Sequence, residues 1–347
     1  GDIEPLAATL FVEGQIQAAR GDFKVARATL LEAVRAATAA REDGMVVEIW
    51  LEIVGMSFRG FNEGLDDAIF SAEVAAQRLA PDDLVHAQLA AKVGSALASQ
   101  GESERAVPML QRAAAMWTEA DATKHRLEIA GVANSLGVIQ LARGEWAEAR
   151  RNLEHALAAW QSVRTNANTG VTLGVLGDLA LLQRDFATAE PLYRRALVAI
   201  EATGDEGRSL LGSATFQLAY LLVRTARCAE AEPLLARARD HAVELYGEAS
   251  AQVGLVLLAQ AMCELDRGRP AQAIAILERA KPLADADPAS FVQIPTTDFA
   301  LARALDATRR DRKRALALAE RARTYFGRYA GLALDRAEVE AWLAARR

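Results

Sequence analysis

The sequence predicts an all-α chain folded as an α-solenoid of about eight helix-turn-helix repeats, closed by a C-terminal capping helix. Three observations predict it. Long segments rich in Ala, Leu, Arg and Glu carry apolar residues at helical spacing, while aromatics make up only 6% and strand-like alternation is rare. A short phrase, a turn followed by an alanine, recurs eight times. Its anchors are Ala26, Ala68, Ala106, Ala149, Ala189, Ala231, Ala273 and Ala315, spaced by 42, 38, 43, 40, 42, 42 and 42 residues. Seven residues after each anchor stands another alanine: Ala33, Ala75, Ala113, Ala156, Ala196, Ala238, Ala280 and Ala322. Self-similarity at such a period is the mark of stacked helical units.

Each unit reads as a first helix, a tight turn and a second helix. Twelve before the anchors stand Gly14, Met56, Gly94, Gly137, Gly177, Ala219, Ala261 and Arg303, mostly small; four after stand Leu30, Ala72, Leu110, Leu153, Tyr193, Leu235, Leu277 and Ala319, mostly large. The small residues are expected to let the two helices approach, and the large one to fill the space between units. Gly21, Gly101, Gly144 and Gly268 fall where a first helix must end with positive φ. Asp22, Glu102, Glu145 and Asp185 fall where the second helix begins, favoured by its dipole.

"AVPMLQRAA", "AEPLYRRAL" and "AEPLLARAR" place Pro108, Pro191 and Pro233 two residues after an anchor, early in a second helix. A proline there predicts a late helix start or a bend. Two stretches depart from the pattern. "MSFRGFNEGLDDA" (Met56–Ala68), with Gly60 and Gly64, predicts a remodelled turn, and "ADADPASFVQIP" (Ala284–Pro295) predicts a loop ahead of a degenerate eighth unit. The ending "LDRAEVEAWLAARR" reads as a polar-faced capping helix, needed because the last repeat has no neighbour. The expected division is a solenoid over 1–330, with repeats near 6–47, 48–85, 86–128, 129–168, 169–210, 211–252, 253–294 and 295–330, and a cap over 331–347.

The recurring small positions resemble the tetratricopeptide repeat. The spacing near 42, with "AEPLYRRAL" and "HAVELYGEAS", resembles the kinesin-light-chain-type variety with longer helices. The resemblance implies a right-handed superhelix whose first helices line a concave groove that holds a protein or peptide. "GDFKVARATLLEAVRAATAARED" and "GLDDAIFSAEVAAQRLAPDD" also resemble the segment behind the kinase domain of large bacterial Ser/Thr protein kinases. That second resemblance implies a regulatory or substrate-recruiting role in a larger signalling protein.

Composition narrows the function classes. A formal net charge of −6 argues against nucleic acid as a partner. No apolar stretch reaches membrane-spanning length; "VGLVLLAQAM" (Val253–Met262) is too short, so no membrane contact is expected of this segment. Cys228 and Cys263 suggest no disulfide framework and are expected as core residues in a reducing, cytoplasmic compartment. The opening "GDIEPL" lacks both an initiator Met and a signal-peptide pattern, as expected of a fragment or processed chain.

No cofactor and no metal are expected. His86, His125, His155 and His241 fall in different repeats without ligand spacing, and no nucleophile elbow occurs. Kinase motifs are absent: "TRRDRKRA" (with Arg310 and Asp311) falls in a turn, and "TDFA" at Asp298 lacks the glycine and falls in a helix. "GVTLGVLGD" (Gly170–Asp178) looks like a phosphate loop, yet no strand precedes it and Gly177 is a packing position. The pairs Asp66/Asp67 and Asp82/Asp83 suit helix caps. The chain is not expected to be an enzyme.

What remains is a surface. Fifteen, eleven and seven before the anchors, the first helices of the middle repeats offer Ala91 and Ser95, Asn134 and Val138, Gly174 and Asp178, then Phe216, Tyr220 and Arg224. Asn134 suits a peptide backbone, Phe216 and Tyr220 an apolar side chain, and Arg224 an acid. The lysine and asparagine clamp of chaperone-adaptor repeats is absent. The expectation is a non-catalytic module that captures a protein or peptide. Its rivals are a self-associating scaffold (a homodimer), a peptide-sensing regulator, and the tail of another effector such as a protease or ATPase.

Overall fold

The computed structural model describes residues 3–59, 61, 63–81, 83–163, 166–286, 292–309 and 311–346. Gly60 of the expected remodelled turn, Asp82, Arg310 and residues 287–291 of the expected linker lie outside the described residues. Seventeen α-helices and no strand are found among the described residues. The chain divides into two compact units, Gly1–Leu136 and Gly137–Arg347.

The first unit holds α1 (Ile3–Ala19), α2 (Phe23–Ala40), α3 (Asp43–Gly55), α4 (Leu65–Ala76), α5 (Val85–Ser99), α6 (Ser103–Asp121) and the start of α7 (Arg126–Arg143). The second holds the rest of α7, then α8 (Trp146–Gln161), α9 (Ala167–Leu182), α10 (Phe186–Glu201), α11 (Arg208–Arg224), α12 (Cys228–Tyr246), α13 (Ala251–Asp266), α14 (Pro270–Asp285), α15 (Gln293–Ala307), α16 (Arg312–Phe326) and α17 (Ala333–Ala344). Odd-numbered helices are the first helices of repeats, even-numbered ones the second, and α17 is the cap. Within each unit, sequential helices pack against one another and bury their apolar faces.

The small-against-large rule operates inside the four repeats that carry glycine at the small position. A Cβ added at Gly94 would sit 2.8 Å from Leu110 Cγ, one at Gly137 2.7 Å from Leu153 Cγ, and one at Gly177 2.6 Å from Tyr193 Cε1. The large residue therefore fills the hollow left by its own repeat's glycine. Leu30, Leu110, Leu153 and Tyr193 are all fully buried, each worth about 1.5–3 kcal/mol in removed apolar surface. Seven of the eight paired alanines are buried; the exception is Ala75, where Ala72 and Ala76 take the buried face of α4.

The turns follow the expected chemistry. Gly21, Gly101, Gly144 and Gly268 all have positive φ, between 71° and 88°. Asp22, Glu102, Glu145 and Asp185 are N-cap residues, although only Asp185 accepts a cap hydrogen bond, from the Thr188 amide at 3.1 Å. The second repeat's turn is remodelled: α3 runs into a 3-10 turn over Met56–Arg59, and Gly64 at φ +69° starts α4.

The prolines do not delay their helices. Pro108, Pro191 and Pro233 lie inside α6, α10 and α12, which begin at Ser103, Phe186 and Cys228, directly after the turn. All three prolines are exposed. The carbonyl each leaves without an amide partner lies on the solvent side, where water can bond it, so the loss is tolerated.

One expectation is corrected. Cys228 and Cys263 are not two separate core thiols; they form a disulfide with 5.6 Å between Cα atoms, joining the start of α12 to α13. Anti-phase placement in successive repeats hides such a pairing from a search for CxxC-like spacing.

Candidate functional site

In the first unit, the inner faces of α3, α5 and α7 enclose a cleft of about 420 Å³ lined by Leu51, Gln88, Ala91, Lys92, Ser95 and Gly131, among others. Ala91 and Ser95 are thus brought together on one wall. Ser95 Oγ lies 2.9 Å from Ser135 Oγ, whose own hydroxyl donates to the Gly131 carbonyl, so the first helices of repeats three and four are stitched at the cleft floor. Lys92 adds a cation that has no ion pair among the described residues. Asn134 is half-buried on α7. This cleft offers small side chains, hydroxyls and one ammonium, a suitable bed for a peptide backbone and a carboxylate.

The second unit treats its expected groove residues differently. Val138 is exposed. Asp178 is drawn inward: Tyr193 Oη donates to its Oδ1 at 2.7 Å and Gln217 Nε2 to its Oδ2 at 3.0 Å. Burial pushes its carboxyl up to about 6, against the lowering effect of those two hydrogen bonds. Gly174 packs against the Gln217 amide; a Cβ there would meet Gln217 Oε1 at 2.7 Å. Phe216 stacks on Tyr220 with 5.7 Å between centroids, and it lines a small cleft of about 110 Å³ with Gln217, His241, Leu245 and Tyr246. His241 Nδ1 is buried there without a hydrogen-bond partner.

Arg224 lies over the Tyr220 ring, 5.9 Å from its centroid, and its Nη1 is 3.8 Å from Asp335 Oδ1. The acid that Arg224 was expected to meet is therefore the chain's own, on α17. Arg184 completes the contact: its Nη2 donates to Asp335 Oδ1 at 2.8 Å and to Glu338 Oε2 at 3.2 Å. Burial raises the Tyr220 hydroxyl far above its ordinary value and also raises the Asp335 carboxyl. The segment leading into α17 lies against the end of α7, where a Cβ on Gly331 would be 2.2 Å from the Leu141 carbonyl oxygen. Further along, Trp342 meets Phe299 edge-on at 5.9 Å, and Arg346 donates to Asp306 at 2.6 Å. The cap thus reaches from α15 back to α7.

Sequence reasoning missed Arg184, Asp335 and Glu338. The available signal was position: Arg184 stands five before its anchor with φ +61°, in the slot that holds Gly21, Gly101, Gly144 and Gly268 in four other repeats and Ala226, at φ +57°, in the next. An arginine kept in a glycine slot is a candidate for a task of its own.

Among the described residues, no group of three or more His, Cys, Asp or Glu side chains is arranged to hold a metal. No described helix is long and apolar enough to cross a membrane.

Comparison with known proteins agrees with this architecture. The tetratricopeptide repeat family profile matches residues 128–201 and 210–286. No curated protein sequence matches the chain. Among solved structures, a Rap protein complexed with competence and sporulation factor has a TM-score of 0.64 at 12% identity, covering 98% of this chain and 99% of that one. Aspartyl phosphate phosphatase F from Bacillus subtilis has a TM-score of 0.61 at 9% identity, covering 92% and 93%. A tetratricopeptide repeat protein from Parabacteroides merdae ATCC 43184 has a TM-score of 0.50 at 13% identity, covering 84% and 99%. At these identities the likeness is one of fold. Residues 128–201 and 210–286 match the tetratricopeptide repeat, and the helix pairing along the chain is the fold of these solved structures.

Proposed function

We propose that the chain is a non-catalytic binding module that captures a peptide segment of a partner protein on the inner faces of its first helices. The observation that carries this reading is the 420 Å³ cleft of the first unit, where Ala91, Ser95 and Lys92 share one wall. The Rap protein complexed with competence and sporulation factor provides a ligand-holding example of the same fold. In this reading the module serves a larger bacterial signalling protein, such as a Ser/Thr kinase, as a regulatory or substrate-recruiting region. In this reading the repeats cover residues 1–330. The compartment is the cytoplasm, where the Cys228–Cys263 bond would be exposed to reduction.

The test is selection of a random-peptide library on the intact chain, followed by titration of the enriched peptides. The double substitution A91R/S95R fills the cleft with two bulky cations. Enriched peptides should bind this variant at least tenfold more weakly while its far-UV circular dichroism stays unchanged. Peptides that bind the variant as tightly as the unsubstituted chain would sink the assignment.

A further inference from the structure

The last helix of the second unit does more than cover the final repeat. Only Val339 and Leu343 of α17 are buried. Its first two turns instead project carboxylates onto Arg184, 151 and 154 residues away in sequence. Asp335 and Glu338 stand one helical turn apart, so both face the same way. Both accept from Arg184, and Asp335 also faces Arg224 beside Tyr220.

Three features mark this as a reception surface and not only a structural join. Arg184 holds the left-handed conformation that Ala226 holds in the same slot of the next repeat, and here the slot carries a guanidinium that reaches α17. Arg184 and Arg224 have α17 as their source of carboxylates: every ion pair they make among the described residues is to Asp335 or Glu338. Finally, Asp335 has lost hydration that its arginines do not fully restore, since burial pushes its carboxyl up despite them. The contact is specific in charge and geometry yet modest in strength, as suits an exchangeable occupant.

We propose that the Arg184–Arg224–Tyr220 surface is a docking site for an amphipathic helix that presents two carboxylates one turn apart, and that α17 is its resident occupant, displaced when a partner's acidic helix binds. This inference rests on reading the chain as a segment-capturing repeat module. It concerns the second unit, whereas the library selection probes the cleft of the first, so either can fail alone.

The experiment uses the full chain and a fluorescein-labelled peptide of residues 331–346 as probe, read by anisotropy, with hydrogen–deuterium exchange over 333–344. In D335N/E338Q the arginines lose their resident charges. That variant should exchange faster in α17 and bind the probe at least tenfold more tightly than the unsubstituted chain. Adding R184E should abolish the gain; if R184E lowers helicity, R184G replaces it, because glycine suits the left-handed slot. The fully charge-swapped chain R184E/R224E/D335R/E338R should recover α17 protection and ignore the acidic probe. Unchanged α17 exchange in D335N/E338Q, equal probe binding by that variant and the unsubstituted chain, or a gain that survives removal of Arg184 would each overturn the proposal.

Discussion

Tyr193 donates its hydroxyl hydrogen to Asp178 at 2.7 Å while its ring fills the hollow beside Gly177. One side chain thus packs a repeat and holds a buried carboxyl. Asp178 titrates near 6 because burial disfavours its charge. The folded state then binds a proton that the unfolded chain, at its ordinary carboxylate value, has already released. Stability is lost as pH rises from about 4 to about 6 and is level above that. Asp178→Asn keeps an acceptor for Tyr193 and removes the charge. The variant should gain on the order of 2 kcal/mol over the unsubstituted chain at pH 7.5, with the difference vanishing by pH 3.5. Urea melts at the two pH values check this; a constant difference would refute the burial argument.

Gly94 faces Leu110 with no room for a methyl group, since a Cβ would lie 2.8 Å from Cγ and 3.1 Å from Cδ2. Gly94→Ala should therefore cost about 1–3 kcal/mol by overpacking, although alanine is the better helix former. Leu110→Ala removes a fully buried side chain and should cost about 2–5 kcal/mol. Because the two sites fill one space, the double variant should be destabilised by clearly less than the sum. A double-mutant cycle by chemical denaturation measures the coupling.

Such pairs explain what could be read in advance. The fold was legible because packing repeats: a glycine hollow, a leucine to fill it and an alanine to follow recur at fixed offsets, and chance does not keep them in step. Groove placement was legible only in part. Ala91 and Ser95 share a cleft wall because they stand one turn apart on the same face of α5. Tyr220 and Arg224 lie under α17 because the second unit folds its own end back, and a contact across 151 residues leaves no periodic trace. The disulfide was hidden for the same reason: it joins different positions of successive repeats.

Asp298 is completely buried on α15, bonded by Lys281 Nζ at 3.0 Å and by Nη2 of Arg321 at 2.9 Å, with Arg321 Nε on its other oxygen. These residues tie α14, α15 and α16 together around one carboxylate. Asp298→Ala would leave Lys281 and Arg321 with only the more exposed Asp285 between them, and would remove the carboxylate that ties them to α15. The loss should be about 3–5 kcal/mol, seen as a lower urea midpoint. A loss below 1 kcal/mol would mean that water replaces the carboxylate at little cost.

The Cys228–Cys263 bond closes a loop of 35 residues between repeats six and seven. By the loss of loop entropy from the unfolded chain, it should contribute about 3–4 kcal/mol. Reductant should lower the unfolding midpoint of the natural chain accordingly and leave C228S/C263S unmoved. A midpoint indifferent to reductant would show that helix packing alone sets the local stability.

Arg184 offers a way to separate backbone cost from side-chain gain. In its left-handed conformation a residue with a side chain is disfavoured by roughly 1–2 kcal/mol relative to glycine, while its partly exposed pairs with Asp335 and Glu338 return about 1 kcal/mol or less. The two effects nearly cancel, so Arg184→Gly should leave global stability within about 1 kcal/mol of the parent. Its local effect should be large, because the cap's first two turns lose their charge-assisted bonds to Arg184. Exchange at residues 333–338 should accelerate at least tenfold, and raising salt should accelerate the parent toward the variant, since screening weakens the same pairs. If Arg184→Gly destabilises the whole chain by several kcal/mol, the arginine is a structural strut, and its place in a glycine slot needs no partner to explain it.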